Sequence, residues 1–338
     1  MTAIFRALEF HLPEQTLTTA QLDAECPDWQ VRKVDAMTGI EERHLAASGE
    51  CASDLAVVAA RKIFDSGACR PDEIDFLLFC TQTPDYLVPT TACLIQERLG
   101  LSKSIGAFDF SLGSSGYVYG LGTAKGLIES DQARNVLLLT GDTYTRLVHR
   151  RDRSVRPVFG DAATATVIGG LETGDVRIGP FVYGTDGSGG PHLMVPAGGM
   201  RQPRNSETAV AIEDANGNVR SPENLVMNGG EIFDFTLAVV PKMVAGLLER
   251  AARRVDDIDL FIFHQANRYM LDHLRKKMKL PAEKVYISIR HGNTTSSSIP
   301  VALKNALLDG KVPPGALIML VGFGPGYSWG ATLVRWTS

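Results

Sequence analysis

Asp72-Glu-Ile-Asp-Phe-Leu-Leu-Phe-Cys80 has a close copy later in the chain, Asp256-Asp-Ile-Asp-Leu-Phe-Ile-Phe-His264. Each copy follows a helix-like run that contains the same four letters, at Leu55-Ala-Val-Val58 and at Leu237-Ala-Val-Val240. A supersecondary unit that recurs in this way indicates an internal duplication. We therefore predict two similar halves, residues 1–175 and residues 176–338, packed into one body.

Four short runs are almost continuously apolar: Phe76–Phe79, Val136–Leu139, Leu260–Phe263 and Leu317–Val321. Such runs are typical of strands that are buried on both faces of a sheet. Helix-like segments alternate with them, which predicts an α/β fold whose helices cover the sheets. The stretch 184–223 is rich in Gly, Pro, Asn and Ser, and we predict a long loop or cap between the halves there.

The composition excludes several classes of protein. The 338 residues are 44% hydrophobic and 21% charged, which is usual for a globular protein. A formal net charge of −4 gives no general attraction to nucleic acid or to an anionic membrane, and no apolar run is long enough to cross a bilayer. The cysteines form no CxxC pair, so we expect reduced thiols in a cytoplasmic protein and no metal site; they are Cys26, Cys51, Cys69, Cys80 and Cys93.

Ser114 lies in a turn that would suit a nucleophile. The stretch Gly106–Leu121 predicts a strand, then a turn of small residues, Gly113 to Gly116, and then a helix. Backbone N–H groups at a helix N-terminus favour negative charge, so a nucleophilic oxygen or sulfur would be stabilised there. A serine at such a point is more often an ordinary helix N-cap, and this alternative stays open.

Two later motifs add polar groups, His264-Gln-Ala-Asn267 and His291-Gly-Asn-Thr-Thr-Ser-Ser-Ser298. His264 ends an apolar strand, and the carboxyl ends of strands are where α/β sheets place their ligands. A neutral histidine and Asn293 would together donate two hydrogen bonds to one thioester oxygen, stabilising an enolate as carbon dioxide leaves. The same histidine would also suit a general base. The alternatives are a structural histidine and an ordinary polar turn.

Taken together, these motifs resemble those of the β-ketoacyl-acyl carrier protein synthase III family of condensing enzymes, over essentially the whole chain. The matching segments are Thr38–Arg43, Ala107–Asp109 with Gly116 beyond it, Gly160–Ala162, His264–Asn267, Gly292–Thr294 and Gly324–Ala331. The resemblance implies a thiolase-like fold, in which two duplicated α/β halves form a five-layered αβαβα body. It also implies a homodimer, acyl-coenzyme A or acyl carrier protein thioesters as substrates, and no permanently bound cofactor.

The resemblance also implies roles for individual residues. Residue 114 would accept an acyl group, and the pair His264 and Asn293 would decarboxylate a malonyl-type thioester. Further substrate contacts would come from Asn267 on the pantetheine arm, Arg153 at a phosphate-contacting position, Gly229, and Val88, which would limit the acyl pocket across the dimer. An acidic carrier protein would bind a basic face on the helix after His264, unless that face is merely solvated. This face comprises Arg268, Arg275, Lys276 and Lys277.

Ser114 departs from the family pattern, which has a cysteine at this position. A thiol has a pKa of about 8.5, whereas a serine hydroxyl is a far weaker acid and needs a base positioned against it. Two origins are open. The serine is native, as in the few family members that use serine to transfer a starter unit, or it replaces the cysteine of an active parent to trap a ligand.

Pro325 is a second departure. The middle position of Gly324-Pro-Gly326 would supply one N–H to the oxyanion hole, and proline has no N–H. We expect the hole to use the N–H of Ser114 together with that of Gly326, or the N–H of Ser114 alone.

Three functions are therefore open on the sequence alone. The first is a condensing enzyme, and the second is an acyltransferase of specialised metabolism that uses Ser114 to form an ester or an amide. The third is a non-catalytic partner subunit of an active homologue. Ser114 and Pro325 favour the third function, whereas the intact pair of His264 and Asn293 weighs against it.

Overall fold

A computed structural model describes residues 1–172 and 177–336. Its strands are β1 (Thr2–His11), β2 (Gln15–Thr18), β3 (Glu42–Leu45), β4 (Phe76–Cys80), β5 (Gly106–Phe110), β6 (Asn135–Asp142), β7 (Ala162–Leu171), β8 (Ile178–Thr185), β9 (Leu193–Met194), β10 (Ile212–Glu213), β11 (Val219–Arg220), β12 (Val226–Met227), β13 (Leu260–Phe263), β14 (Leu317–Gly324) and β15 (Ser328–Arg335). Its α-helices are α1 (Thr19–Glu25), α2 (Val31–Thr38), α3 (Ala52–Asp65), α4 (Thr91–Arg98), α5 (Gly116–Glu129), α6 (Gly229–Arg250), α7 (Arg268–Lys277) and α8 (Ser298–Leu308). Short 3₁₀ turns lie at Pro27–Trp29, Pro71–Glu73, Tyr144–Leu147, Gly187–His192, Val255–Asp257, Ala282–Lys284 and Thr295–Ser297.

The two main sheets have the same topology. The first sheet has the strand order β1-β7-β6-β4-β5, and the second has the order β8-β15-β14-β13. In both sheets the inner strands run in parallel (β4 with β6, β13 with β14), and the next strand, β7 or β15, is antiparallel to both of its neighbours. In the first sheet β4 has β5 as a parallel neighbour on its outer side. In the second sheet a single parallel bridge from Phe261 of β13 to Val285 takes the corresponding position. This shared topology confirms the duplication, and all four predicted strands are present.

Helices separate and cover the sheets in five layers. The inner layer consists of α5 and α8, which contact strands of both sheets, while α3 and α4 cover the first sheet and α6 and α7 cover the second. The central core accordingly joins Leu138 of β6, Leu121 of α5, Ile299 of α8 and Leu320 of β14, all fully buried. The predicted αβαβα arrangement is confirmed.

The stretch 184–223 does not lie between the halves, so that part of the prediction was wrong. It follows β8, which pairs with β15 in the second sheet, and it therefore interrupts the second half. It contains the 3₁₀ turn Gly187–His192 and small paired strands rather than a structureless loop. The predicted boundary between residues 175 and 176 lies outside the described residues.

The topology brings the polar motifs to one region. Ser114 lies between β5 and α5, His264 directly follows β13, and Gly324 ends β14. A parallel bridge between Phe159 and Asn293 attaches the Asn293 loop to the first half. None of the described helices is long and apolar enough to span a membrane.

Candidate active site

A pocket formed by both halves holds the three predicted catalytic side chains. Its volume is about 750 Å³, including space that is open to solvent at the mouth. Ser114, His264 and Asn293 all line it, and each is at most 8% exposed. Most of the remaining wall is apolar, including Tyr144, Val158, Phe159, Leu193, Met227, Ile232, Phe235, Ala266, Met270 and Phe323. An apolar wall with a few converging polar groups is typical of a small-molecule site.

Ser114 is held in a tight turn and does not cap the following helix. The Gly116 N–H donates to the Gly113 carbonyl at 2.8 Å, and α5 begins at once with Ser115 as its N-cap residue. The Ser115 hydroxyl is bonded to Ser328 at 2.7 Å. A Cβ at position 116 would lie 2.3 Å from the Cys80 sulfur, so only glycine allows this close approach. The N-cap alternative for Ser114 was therefore wrong.

The loop after β14 lies directly against Ser114. A Cβ at Gly324 would be 3.3 Å from the Ser114 backbone nitrogen and 3.4 Å from its Oγ. Pro325 also lines the pocket but has no N–H to donate, and Gly326 is not part of the pocket wall. Within the described residues, the Ser114 N–H makes no hydrogen bond and is thus available to an oxyanion. The geometry gives no support to Gly326 as a second donor, because it is Pro325 that faces the pocket.

His264 is buried in a neutral state. Its backbone N–H donates to the Val321 carbonyl at 2.8 Å, and its ring Nδ1 lies 2.6 Å from the Ser298 Oγ. Its ring also packs edge-on against Phe323. Burial lowers the pKa of His264 to about 3, because an imidazolium would lose its hydration there. When the Ser298 hydroxyl donates to Nδ1, the ring hydrogen is on Nε2 and His264 becomes a hydrogen-bond donor.

Asn293 is fixed in both its backbone and its side chain. Its N–H donates to the Val158 carbonyl at 2.9 Å, and its own carbonyl accepts the Gly160 N–H at 3.1 Å. Its side-chain Oδ1 accepts the Thr295 N–H at 3.0 Å. Because an N–H can only donate, this bond identifies the amide oxygen and leaves the Nδ2 hydrogens as the group that can serve a ligand.

Asp142, which sequence reasoning missed, anchors the Asn293 loop. Its fully buried carboxylate accepts the Thr295 hydroxyl at 2.6 Å, the Ser296 hydroxyl at 2.5 Å and the Gln82 N–H at 2.7 Å. Burial raises the pKa of Asp142 to about 6, against the opposing effect of these donors. The sequence does contain one indication of this role. Asp142 ends the apolar strand β6, and a carboxylate that is buried there must be hydrogen-bonded to compensate for its lost hydration.

The other predicted substrate contacts are divided between the pocket and the surface. Asn267 and Gly229 line the pocket, and the Asn267 Oδ1 also caps α7 by accepting the Met270 N–H at 2.8 Å. Arg153 and Val88 lie outside the pocket wall, and Val88 is 84% exposed. The predicted carrier-protein face lies on α7, where Arg268, Lys276 and Lys277 are exposed and Arg275 is half-buried.

Comparison with known proteins gives the family of the chain. The family profile described as 3-oxoacyl-[acyl-carrier-protein (ACP)] synthase III matches residues 108–187, and the profile of its C-terminal part matches residues 248–336. A β-ketoacyl-[acyl-carrier-protein] synthase III of Caldanaerobacter subterraneus subsp. tengcongensis is 35% identical over 328 residues, covering 97% of this chain and 96% of the relative. The chain belongs to the synthase III family.

Solved structures of a synthase III protein and of a priming β-ketosynthase share the whole fold. One 3-oxoacyl-(acyl-carrier-protein) synthase III is 50% identical, has a TM-score of 0.98, and aligns over 99% of this chain and 100% of its own. The priming β-ketosynthase of the R1128 polyketide biosynthetic pathway is 27% identical with a TM-score of 0.86, covering 100% of this chain and 97% of its own. The thiolase-like fold is thereby confirmed.

Proposed function

We propose that this member of the synthase III family catalyses a decarboxylative condensation, with Ser114, His264 and Asn293 as the reacting groups. The observation that carries the proposal is the hydrogen bonding of the His264 and Asn293 side chains to their neighbours in the protein. We assign the Ser298 hydroxyl as the donor to Nδ1 of the neutral His264, which puts the ring hydrogen on Nε2, and the Thr295 N–H donates to Oδ1 of Asn293. Each side chain therefore has an N–H left for one oxygen of a substrate in the pocket that also holds Ser114.

The first half of the reaction is acyl transfer. The Ser114 oxygen attacks the carbonyl carbon of an acyl thioester, the carbon–sulfur bond breaks, and the hydroxyl proton goes to the departing thiolate. The oxyanion that forms at the carbonyl accepts the Ser114 N–H. The product of this half-reaction is an acyl ester on Ser114 and a free thiol.

The second half joins two carbon atoms. A malonyl-type thioester loses carbon dioxide, and the electron pair of the broken bond forms an enolate whose oxygen accepts the His264 and Asn293 N–H groups. The enolate carbon attacks the ester carbonyl, the bond from this carbonyl to the Ser114 oxygen breaks, and that oxygen takes up a proton from solvent. The products are a 3-oxoacyl thioester, carbon dioxide and free Ser114.

The two alternative functions fit the geometry less well. An acyltransferase that forms an ester or an amide generates no enolate, so it would leave the two N–H donors of His264 and Asn293 without a role. A non-catalytic partner subunit has no need of two oriented donors in an apolar pocket. The decarboxylation pair is thus the stronger indication of function.

The proposal extends to partners and compartment. We propose an acyl carrier protein as a substrate carrier, because α7 directly follows the pocket residue Asn267 and its last turn carries the half-buried Arg275 and the exposed Lys276 and Lys277. We propose a homodimer because a run of exposed apolar side chains, Tyr86, Leu87 and Val88, needs a cover. The five free cysteines favour the cytoplasm.

The test is product analysis by mass spectrometry after incubation with an acyl-coenzyme A panel and malonyl thioesters of coenzyme A and of acyl carrier protein. We expect a 3-oxoacyl thioester, and carbon dioxide from the malonyl thioester even without an acyl donor. Ser114→Ala is the matched control, since it should keep the decarboxylation and lose the condensed product. Absence of both products from the unaltered chain would contradict the proposal.

The decarboxylation rate should not follow the ordinary titration of histidine. Because the pKa of His264 is lowered to about 3, the neutral donor form persists well below the usual 6.5. We expect no loss of rate from His264 protonation between about pH 8 and pH 5. The neutral ring also stabilises the fold fully above pH 6.5, and this contribution is lost as the pH falls toward 3. A pH–rate profile with a step near 6.5 that disappears in His264→Asn would refute this prediction.

A further inference from the structure

A second cluster of titratable side chains lies beside the Asn293 loop. Glu42 and His44 stand two residues apart on β3, so their side chains share one face, and His291 comes from the loop that leads to Asn293. The Glu42 Oε1 is 3.2 Å from the His291 Nδ1 and 3.5 Å from the His44 Nε2. The three ligand atoms lie within 4.8 Å of one another.

The two ring nitrogens have no hydrogen-bond partner in the described structure. Both the His44 Nε2 and the His291 Nδ1 are buried, and their approach to Glu42 is too poorly aligned for a hydrogen bond. The other nitrogen of His44, Nδ1, lies 2.7 Å from the Pro13 carbonyl and must donate to it. In the neutral ring the Nε2 lone pair therefore faces the Glu42 carboxylate, and either a proton or a metal ion between them would remove the repulsion.

Both separations from Glu42 match those expected between two ligands of a tetrahedral metal ion. Ligand atoms about 2.1 Å from a tetrahedral zinc lie about 3.4 Å apart, close to the two measured separations from Glu42. A histidine ligand usually donates its other N–H to a carbonyl or carboxylate, as His44 does to Pro13.

We propose that Glu42, His44 and His291 form a binding site for a divalent transition ion, with zinc as the best match for two imidazoles and one carboxylate. No metal site was predicted from the sequence, because His291 lies far from Glu42 and His44 along the chain. A fourth position would be taken by water, since the Glu42 side chain is 35% exposed and opens the site to solvent.

An ion at this site would join the loop of Asn293 to the first half of the molecule. The Glu42 N–H already donates to the Arg290 carbonyl at 3.1 Å, and the Asp161 N–H donates to the His44 carbonyl at 2.8 Å. Asn293 follows His291 by two residues. The role that follows is structural: bound zinc would hold the loop that presents Asn293.

The test is calorimetric titration of zinc chloride into the tag-free, chelator-treated protein, with thermal melting as a second measurement. We expect one zinc ion per chain, a higher melting temperature with zinc, and no response to magnesium, which prefers oxygen ligands. Glu42→Gln, His44→Gln and His291→Gln should each weaken zinc binding by about tenfold or more.

His273→Gln is the matched control, because this histidine lies on α7 and is bonded to the Tyr269 carbonyl outside the cluster. It should bind zinc like the unaltered protein. Glu42→Gln changes a partly exposed side chain and keeps its shape, so its melting curve without zinc should match that of the unaltered protein. The proposal is overturned if the unaltered protein takes up no zinc, or if Glu42→Gln folds normally and binds zinc undiminished.

Discussion

Replacing Ser114 with cysteine should raise the rate of acyl-enzyme formation by about a hundredfold or more. General-base catalysis usually contributes a factor of this size, and Ser114 reacts without it, whereas a thiol does not need it. A thiol with a pKa of about 8.5 reacts as the thiolate without a strong base, and the N-terminus of α5 would stabilise that thiolate further. The serine hydroxyl is a far weaker acid, and His264 does not assist it, because a histidine with a pKa of about 3 is a poor proton acceptor. The nucleophile is therefore the weakest part of the present site.

The measurement is the rate of mass increase of the intact protein with acyl-coenzyme A and acyl-carrier-protein donors, for the unaltered chain and Ser114→Cys in parallel. Ser115→Cys is the matched control, because residue 115 lies in the same turn but points to Ser328. It should not become acylated. Equal acylation of the unaltered chain and Ser114→Cys would mean that the serine is fully activated, and would support the acyltransferase function instead.

The strands and their duplication could be predicted because they depend on local patterns. Apolar runs such as Phe76–Phe79 are buried on both faces of a sheet, and the corresponding runs in the second half are apolar for the same reason. β8 was not predicted, because its side chains are mostly half-exposed and Ile178–Thr185 therefore lacks the long apolar run of a fully buried strand. Missing β8 is why the stretch 184–223 was placed between the halves.

Residues of the candidate site could be predicted only where a short sequence motif identifies them without knowledge of distant contacts. Ser114, His264 and Asn293 stand in motifs that predict their positions, and the structure brings them to one pocket. Asp142 and the cluster of Glu42, His44 and His291 depend on contacts between segments far apart in the chain. The exclusion of Gly326 from the pocket likewise depends on how the loop after β14 folds against Ser114, which the order of residues does not specify.

Replacing Asn293 should have the second large effect, a fall of about 10²- to 10³-fold in malonyl thioester decarboxylation, as for the loss of one oxyanion donor. Asn293→Ala removes the Nδ2 hydrogens and also the acceptor of the Thr295 N–H, so part of its effect would come from a displaced loop. Asn293→Asp separates these two contributions. It keeps an oxygen for the Thr295 N–H and replaces the donor with a carboxylate, which repels the developing enolate.

Both variants should therefore lose decarboxylation, and Asn293→Asp should do so with little change in melting temperature. Acylation of residue 114 should be unaffected when measured in a Ser114→Cys background, because in the proposed mechanism Asn293 acts only on the malonyl thioester. Asn267→Ala is a useful comparison, since Asn267 lines the same pocket but its oxygen caps α7. If Asn293→Asp decarboxylated at the rate of the unaltered chain, the enolate oxygen would be held by His264 alone, and Asn293 would serve only to shape its loop.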